Sequence, residues 1–146
     1  MTSILLLSGP NLNLLGTREP QHYGAETLQD HVDAASERAR SHGLSLDHLQ
    51  SNHEGDLVEA IHAARDSHAG IIINGAAFTH YSWALHDALA AFDAPVVELH
   101  ISNPDAREPW RRTSVITPVA DGCISGFKGH GYVLAVDAIA TLIAHG

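Results

Sequence analysis

The sequence predicts an α/β protein in which helices cover both faces of a parallel sheet. Continuous apolar runs at residues 4–7 and 71–73 are typical of strands that are buried on both faces. Segments with apolar residues at helical spacing lie between these runs, so strands and helices alternate along the chain. This alternation favours parallel strands that are joined by crossover helices.

The predicted elements follow one another in the order β-α-β-α-β-α-β-β-α. The strands are expected at residues 4–7, 44–49, 71–73 and 95–101, and less clearly within 115–124. The first helix follows an N-cap at Thr27, with Asp30 completing an imperfect capping box, and it ends at Gly43. The later helices are expected around residues 57–64, from near Thr79 to residue 92, and over residues 131–145. Five strands in a chain of this size predict a flavodoxin-like three-layer sandwich with strand order 2-1-3-4-5.

Length and composition limit the classes of protein that the chain can belong to. Its 146 residues fit a single domain over residues 1–146, and 45% hydrophobic with 17% charged residues is a globular composition. The formal net charge is −9. Because nucleic acids and anionic membranes require a basic surface, we expect neither as a partner. Arginines that cluster on such an acidic chain favour a small anionic ligand instead.

The cellular setting is predicted from cysteine usage and apolar runs. Cys123 is the only cysteine, so no intrachain disulfide can form, which suits a reducing compartment. The N-terminus lacks the basic region of a signal peptide, and no apolar run approaches the length of a membrane span. We therefore expect a soluble, cytoplasmic protein.

The ligand of such a sheet is expected at the carboxyl ends of the strands. The loop after the first strand, residues 9–25, is much longer than usual βα loops and is typical of a lid, although a solvated surface excursion has the same pattern. Arg18 and Tyr23 are its candidate reactive groups. After the third strand, small residues at 75–77 would let a ligand approach the backbone beside a helix N-terminus expected near Thr79.

The fourth strand carries the strongest candidate pair. Strand alternation places Glu98 and His100 on one face and Leu99 and Ile101 on the other. A carboxylate beside an imidazole orients the ring and favours its protonated form. The next loop clusters three arginines, at positions 107, 111 and 112, which a merely solvated basic surface would also explain.

Cofactor and metal motifs are not found in the sequence. Neither phosphate-binding glycine pattern is present, and one cysteine cannot build a thiolate zinc site. Two histidine pairs, His48 with His53 and His80 with His86, are weak alternatives as metal ligands. The motifs therefore give no positive sign of a nucleotide cofactor or a metal.

Long motifs give the chain a family resemblance. GPNLNLLGTREPQHYG, NGAAFTH, VVELHISNPDAREPWR and GHGYVLAVDAI together span nearly the whole sequence. They resemble the type II 3-dehydroquinate dehydratases. The resemblance implies a flavodoxin-like subunit, a homo-dodecamer built as a tetramer of trimers, and reversible anti elimination of water from 3-dehydroquinate without metal or organic cofactor, in shikimate biosynthesis or quinate breakdown.

The resemblance also implies a role for each matching residue. Tyr23 would be the base for the C2 proton, and Arg18 would favour its tyrosinate form. Asn11 would hold a water that stabilises the enolate, and His100, oriented by Glu98, would protonate the leaving hydroxyl. Substrate contacts are implied for five further residues, which are Asn74, His80, Ile101, Ser102 and Arg111. Asp87 would reach into the site of a neighbouring subunit.

The chain departs from the family pattern at Ser8, Gly75 and His86, where the family commonly has Asn, Pro and Arg. The first two are expected to loosen backbone positioning, and the third to affect a trimer contact. Three other functions are weighed against the family's. A Schiff-base route would need Lys128, the only lysine, and an FMN carrier would need a Ser/Thr-rich first loop. An inactive binding module would have lost the proton-transfer residues, which are all present.

Overall fold

Five parallel strands form one sheet in the computed structural model, which describes residues 1–17, 21 and 25–146. The strands lie in the order β2-β1-β3-β4-β5, and each neighbouring pair is parallel. Their bounds are β1 (Thr2–Ser8), β2 (Leu44–Gln50), β3 (Ile71–Asn74), β4 (Val96–His100) and β5 (Gly122–Ser125). The fold is therefore flavodoxin-like, and the predicted strand order is confirmed.

Four α-helices of the described residues cover the two faces of this sheet. They are α1 (Leu28–Ser41), α2 (Glu54–Ala64), α3 (Trp83–Ala90) and α4 (His130–His145). Short 3-10 helices lie in the loops at Leu12–Leu14, Ala76–His80, Pro104–Ala106, Pro109–Arg112 and Thr117–Val119. None of the helices in this part of the chain has the length and apolar character needed to cross a bilayer.

Alternate residues of the strands build two separate hydrophobic cores. In β1, Ile4 and Leu6 pack with α1 and α4, while Leu5 and Leu7 pack with α2 and α3. All four side chains are buried, as expected for a strand that helices cover on both faces. The two apolar layers hold the sheet rigidly between them, which fixes the positions of residues at the strand ends.

Helix α1 begins as its sequence predicts. Thr27 accepts a hydrogen bond from the Asp30 backbone N–H, and the Asp30 carboxylate accepts one from the Thr27 N–H. The capping box is thus complete with aspartate in the place of the usual glutamate. These hydrogen bonds hold the pKa of Asp30 below its ordinary value.

The third helix begins later than the sequence predicts, so the expected helix N-terminus near Thr79 is wrong. Residues Ala76–His80 form a 3-10 helix, and α3 begins at Trp83. The hydroxyl of Ser82 accepts a hydrogen bond from the Leu85 N–H, which makes Ser82 the N-cap. Thr79 is instead fully buried, and its carbonyl accepts from the Val115 N–H. No helix N-terminus is therefore present at Thr79 to bind an anion.

Candidate active site

A cavity of about 150 Å³ opens at the carboxyl ends of β1, β3 and β4. Its walls come from the loop after β1, the 3-10 helix after β3, and the end of β4 with its following loop. The lining residues are Pro10, Asn11, Leu12, Asn74, Ala76, Ala77, His80, His100, Ile101, Ser102, Pro104, Arg107 and Arg111. The cavity lies where the strand order reverses between β1 and β3, which is the ligand position expected for this fold.

Asn74 forms part of the cavity floor and is held from behind by a buried tyrosine. Its Oδ1 accepts a hydrogen bond from the Ala76 N–H, and its Nδ2 donates to the Tyr132 hydroxyl at 3.4 Å. Burial raises the pKa of Tyr132 to about 12, so this hydroxyl stays protonated. Beside Asn74 in the sheet, the Ser8 hydroxyl lies 2.9 Å from His48 Nε2. Polar contacts beneath the floor thus fix the orientation of the Asn74 amide.

The Glu98–His100 pair lies at the end of β4. His100 Nε2 is 2.6 Å from Glu98 Oε2, and both residues are buried. Ser114 and Thr117 also donate hydrogen bonds to the carboxylate, at 2.8 Å and 2.5 Å. Burial alone would raise the pKa of Glu98, but hydrogen bonding by His100, the charge of His100 and the two hydroxyls together hold it below its ordinary value. Glu98 is therefore an anion that orients the imidazole of His100 through this hydrogen bond.

The alternation predicted for β4 is confirmed. Leu99 and Ile101 belong to the core beneath α1 and α4, whereas Glu98 and His100 point to the other face. At the end of the strand, Ile101 and Ser102 both border the cavity. The backbone therefore passes directly beside any ligand that contacts His100.

His80 contributes a second imidazole, from the 3-10 helix after β3. Its Nδ1 lies 2.7 Å from the Thr113 carbonyl oxygen, so Nδ1 carries a proton and Nε2 is an acceptor in the neutral ring. Burial lowers the pKa of His80, and the charges of His100 and Arg111 lower it further, although the bond to Thr113 opposes this. A neutral His80 can accept a hydrogen bond from a ligand hydroxyl.

Two arginines give the cavity a positive wall. Arg107 Nη1 donates to the Ser102 hydroxyl at 3.2 Å, and Arg111 Nε donates to Glu108 at 2.8 Å. The Arg111 guanidinium also stacks over the Trp110 ring, 4.1 Å from its centroid. These contacts orient cationic groups toward the cavity on a chain whose net charge is −9. The wall suits a ligand with a carboxylate.

Most of the sequence-predicted site residues meet in this cavity. Asn11, Asn74, His80, His100, Ile101, Ser102 and Arg111 line it, and Glu98 lies behind His100. Asp87 does not line it, because this residue is exposed on α3. Arg18 and Tyr23 lie outside the described residues. Asn11, whose backbone φ is 68°, begins the 3-10 helix after β1 and is held by a hydrogen bond from its N–H to Asn52.

Arg107 also lines the cavity, although the family resemblance implies a substrate contact only for Arg111. The sequence does place Arg107 in the same cluster of three arginines as Arg111. Sequence spacing alone does not show which of the three arginines turns inward. In the structure Arg107 and Arg111 border the cavity, while Arg112 lies farther along the loop, beside Glu98 and Cys123.

The three departures from the family pattern each have local contacts. A Cβ on Gly75 would lie 2.6 Å from Thr79 Oγ1, and one on Gly9 would lie 2.4 Å from the Gly75 carbonyl oxygen. A side chain at either glycine would therefore displace its neighbours, and the loosening expected at Ser8 and Gly75 stays a prediction. Ser8 contacts His48, as described above, and His86 Nδ1 lies 2.6 Å from the Val115 carbonyl oxygen, so its first contact is within the subunit.

Comparisons with known proteins agree with this geometry. The family model described as "Dehydroquinase class II" matches residues 2–140. A protein from Ruegeria pomeroyi named 3-dehydroquinate dehydratase is 56% identical over 140 residues, which are 96% of this chain and 94% of that protein. A crystal structure of a type II dehydroquinase from Propionibacterium acnes superimposes with a TM-score of 0.92 at 42% identity and covers 97% of each chain. One from Butyrivibrio crossotus gives a TM-score of 0.91 at 41% identity, over 94% of this chain and 97% of that one. The chain therefore belongs to the class II dehydroquinase family.

Proposed function

We propose that this protein catalyses the reversible anti dehydration of 3-dehydroquinate to 3-dehydroshikimate. The buried Glu98–His100 pair beside a cationic cavity is the observation that carries the proposal. Loss of water next to a ketone requires a base for the α proton, stabilisation of an enolate and an acid for the departing hydroxide. The family relatives that are named 3-dehydroquinate dehydratase support this choice of substrate.

His100 supplies the acid in this mechanism. The Glu98 carboxylate favours the imidazolium, and the C1 hydroxyl of the substrate leaves as water when it takes the proton of His100. Without that proton the leaving group would be hydroxide, which is a far poorer one. Glu98 touches no substrate atom and acts through the ring that it orients.

Tyr23 supplies the base, and Arg18 favours its ionised form. A free tyrosine has a pKa of about 10, so a base near pH 7 needs about 4 kcal/mol of stabilisation of the tyrosinate. One cation about 4 Å away supplies about that much at an effective dielectric of about 20, but only about 1 kcal/mol in bulk water. Arg18 therefore requires a site from which water is largely excluded. Asn11 holds the water that donates to the enolate oxygen as the C2 proton leaves.

The remaining lining groups position the substrate. Its carboxylate is bound by the backbone N–H groups of Ile101 and Ser102, next to the arginine wall. Asn74, His80 and Arg111 contact the ring hydroxyls or the carboxylate. None of these roles needs a metal or an organic cofactor, so the proposed reaction uses only side chains and water.

The active assembly is a cytoplasmic homo-dodecamer built as a tetramer of trimers, in which Asp87 reaches a neighbouring subunit's site. Trp83 and Tyr81 support this arrangement, because both are more than half exposed at the start of the helix that carries Asp87. Light scattering should give a mass that is a multiple of three subunits. An active monomer would contradict both the assembly and the role of Asp87.

The direct test is the ultraviolet absorbance of the conjugated enone after 3-dehydroquinate is added to the purified protein. We expect turnover without added metal, and a colourless protein, which separates this function from that of an FMN carrier. Tyr23→Phe should lower turnover by about 10²–10⁴-fold with a modest change in KM. The matched control Tyr81→Phe removes a hydroxyl outside the substrate cavity and keeps the aromatic ring that the assembly would cover, so turnover should be unaltered. Undiminished turnover in Tyr23→Phe would refute the assignment of the base.

A further inference from the structure

We propose that Glu98, His100 and Cys123 form a binding site for a thiophilic divalent cation such as Zn²⁺, and that the bound ion inhibits the enzyme. The three residues offer a carboxylate oxygen, an imidazole nitrogen and a sulfur. These ligand atoms lie within 4.8 Å of one another. Neither the comparisons nor the proposed reaction assigns a function to Cys123.

The sheet register brings the three side chains together. Glu98 on β4 pairs with Cys123 on β5, and neighbours in register on parallel strands point to the same face of the sheet. His100 lies two residues beyond Glu98 and therefore shares that face. Since β5 is the edge strand, Cys123 is exposed to solvent while Glu98 and His100 are buried. An ion can thus enter from the edge of the sheet.

The ligand set matches the coordination that Zn²⁺ prefers. Zinc binds sulfur at about 2.3 Å and imidazole nitrogen or carboxylate oxygen at about 2.0–2.2 Å, with three protein ligands and water in an open site. Tetrahedral bonds of these lengths separate the ligand atoms by about 3.5 Å. His100 Nε2 and Glu98 Oε2, which are 2.6 Å apart, must therefore separate by about 1 Å, and the sulfur must lie at a similar distance from both; side-chain movements on the order of 1 Å achieve this. Mg²⁺, which requires an octahedral set of oxygens, does not suit a site with one sulfur and one nitrogen.

There is room and access for the ion next to these residues. A second cavity of about 120 Å³ lies on the β5 side of His100, and its lining includes Thr79, Glu98, His100, Cys123 and Ser125. His80, His100, Pro104 and Arg111 border both this cavity and the substrate cavity. An ion in the second cavity therefore contacts the catalytic imidazole from the side opposite the substrate.

Binding releases protons and needs no redox partner. The Cys123 thiol loses its proton to solvent as the sulfur–metal bond forms, and the coordinating nitrogen of His100 loses any proton it carries. Partial removal of the sulfur from water and the negative charge of Glu98 raise the pKa of Cys123 to about 11. The positive charges of Arg111 and Arg112 at the cavity wall weaken binding, so we expect a reversible inhibitor rather than a permanent structural ion.

Inhibition follows from the loss of the catalytic acid, and this consequence rests on the proposed function of His100. The ion takes the Nε2 atom that lies 2.6 Å from Glu98, which leaves a neutral ring whose remaining Nδ1–H is a far weaker acid than an imidazolium. Protonation of the leaving hydroxyl is then slowed, so turnover should fall. Occupancy of the site itself does not depend on catalysis and is measured separately.

The experiment uses the whole protein after treatment with a chelator and a non-thiol reductant. Cd²⁺ reports binding, because a Cd²⁺–thiolate bond gives a charge-transfer absorbance in the ultraviolet and Cys123 is the only cysteine. We expect this absorbance to saturate at one ion per subunit, and Zn²⁺ to inhibit turnover where Mg²⁺ does not. In Cys123→Val, basal turnover should be retained, the absorbance should be lost, and inhibition should need at least about 10-fold more Zn²⁺.

A matched control excludes binding to the many other histidines. His68, in the loop before β3, lies 2.8 Å from Asp47 on β2, and neither residue lines the substrate cavity or the second cavity. His68→Asn should leave both the absorbance and the inhibition unaltered. Equal inhibition of the wild type and Cys123→Val, or no Cd²⁺–thiolate absorbance, would overturn the site. Cd²⁺–thiolate absorbance without inhibition of turnover would overturn the inhibitory effect and count against His100 as the acid. A protein that shows no turnover before any metal is added would count against the proposed reaction alone.

Discussion

Glu98 is a buried residue whose charge is stabilised by hydrogen bonds and whose carboxylate orients His100. A carboxylate at 1% exposure is costly unless hydrogen bonds replace its lost water. Here an imidazole and two hydroxyls provide them, and Ser114 also accepts from the Ile116 N–H, so its hydroxyl is held in place. The carboxylate can therefore orient His100 without moving, and the geometry is set before substrate binds.

Replacing Glu98 with glutamine tests this role. Glu98→Gln keeps the shape but loses the charge that favours the imidazolium, so we expect turnover to fall by about 10²-fold or more while KM changes little. Steady-state rates from the enone absorbance measure this. The matched control is Asp47→Asn, which neutralises the exposed carboxylate of the Asp47–His68 pair and should leave turnover unaltered. A fall that appeared only in KM would instead make Glu98 a substrate-binding group.

At the scale of elements, a close aromatic contact lies between α1 and the start of α4. The His31 ring stacks on Tyr132 with an interplanar angle of 8° and a centroid distance of 5.1 Å. Gly129, just before α4, also packs against this imidazole, and a Cβ there would be 2.0 Å from His31 Cε1. Because the Tyr132 hydroxyl supports Asn74, this contact links helix packing to the floor of the substrate cavity.

Alanine at two glycine positions distinguishes the effect of steric crowding on stability from the effect of chain flexibility. The φ of Gly129 is −63°, so alanine is allowed by the backbone and any penalty is steric. Gly129→Ala should destabilise the protein by about 1–3 kcal/mol because the rigid ring must shift. Gly55 in α2 has nothing within 4 Å of its Cβ position, so Gly55→Ala should stabilise by about 0.4–1 kcal/mol. Denaturant unfolding measures both, and equal effects at the two positions would show that packing at His31 is not tight.

The sequence predicts elements well where one local signal dominates. The apolar runs predict β1 and β3, and the Thr27–Asp30 pair predicts the cap of α1, and the structure confirms all three. The predicted start of α3 is wrong, because Thr79 and Ser82 are both good cap residues and only packing shows that Thr79 is buried. Similarly, strand alternation predicts that Glu98 and His100 share a face, but the presence of Cys123 beside them depends on the pairing of β4 with β5. Contacts between distant segments are decided by register, which the sequence pattern leaves open.

Over the whole molecule, the many histidines make stability depend on pH. The chain has 12 histidines, and burial lowers the pKa of His31, His48 and His80 below the ordinary value of 6.5. These rings stay neutral in the folded protein at pH values where they take up protons in the unfolded chain. The unfolded state then binds more protons, so the free energy of unfolding falls as the pH drops below about 6.5.

A substitution of His31 tests how much of the pH dependence of stability comes from this one histidine. Burial lowers its pKa, while the charges of Glu26 and Asp30 oppose that effect, and its Nε2 has no hydrogen-bond partner among the described residues. The asparagine in His31→Asn cannot take up a proton in either state. The free energy of unfolding should therefore fall less between about pH 6.5 and pH 5 than it does in the wild type. The variant should be less stable than the wild type at every pH, because it loses the stacking on Tyr132. Below about pH 4 the two proteins should lose stability together, since Glu98 and Asp137, whose pKa values are lowered by hydrogen bonds, are protonated in both. Denaturant titrations at several pH values measure the slope, and an unaltered denaturant m-value confirms that the same transition is compared. A slope equal to that of the wild type would mean that His31 takes up its proton in the folded state, with Glu26 as its counter-ion.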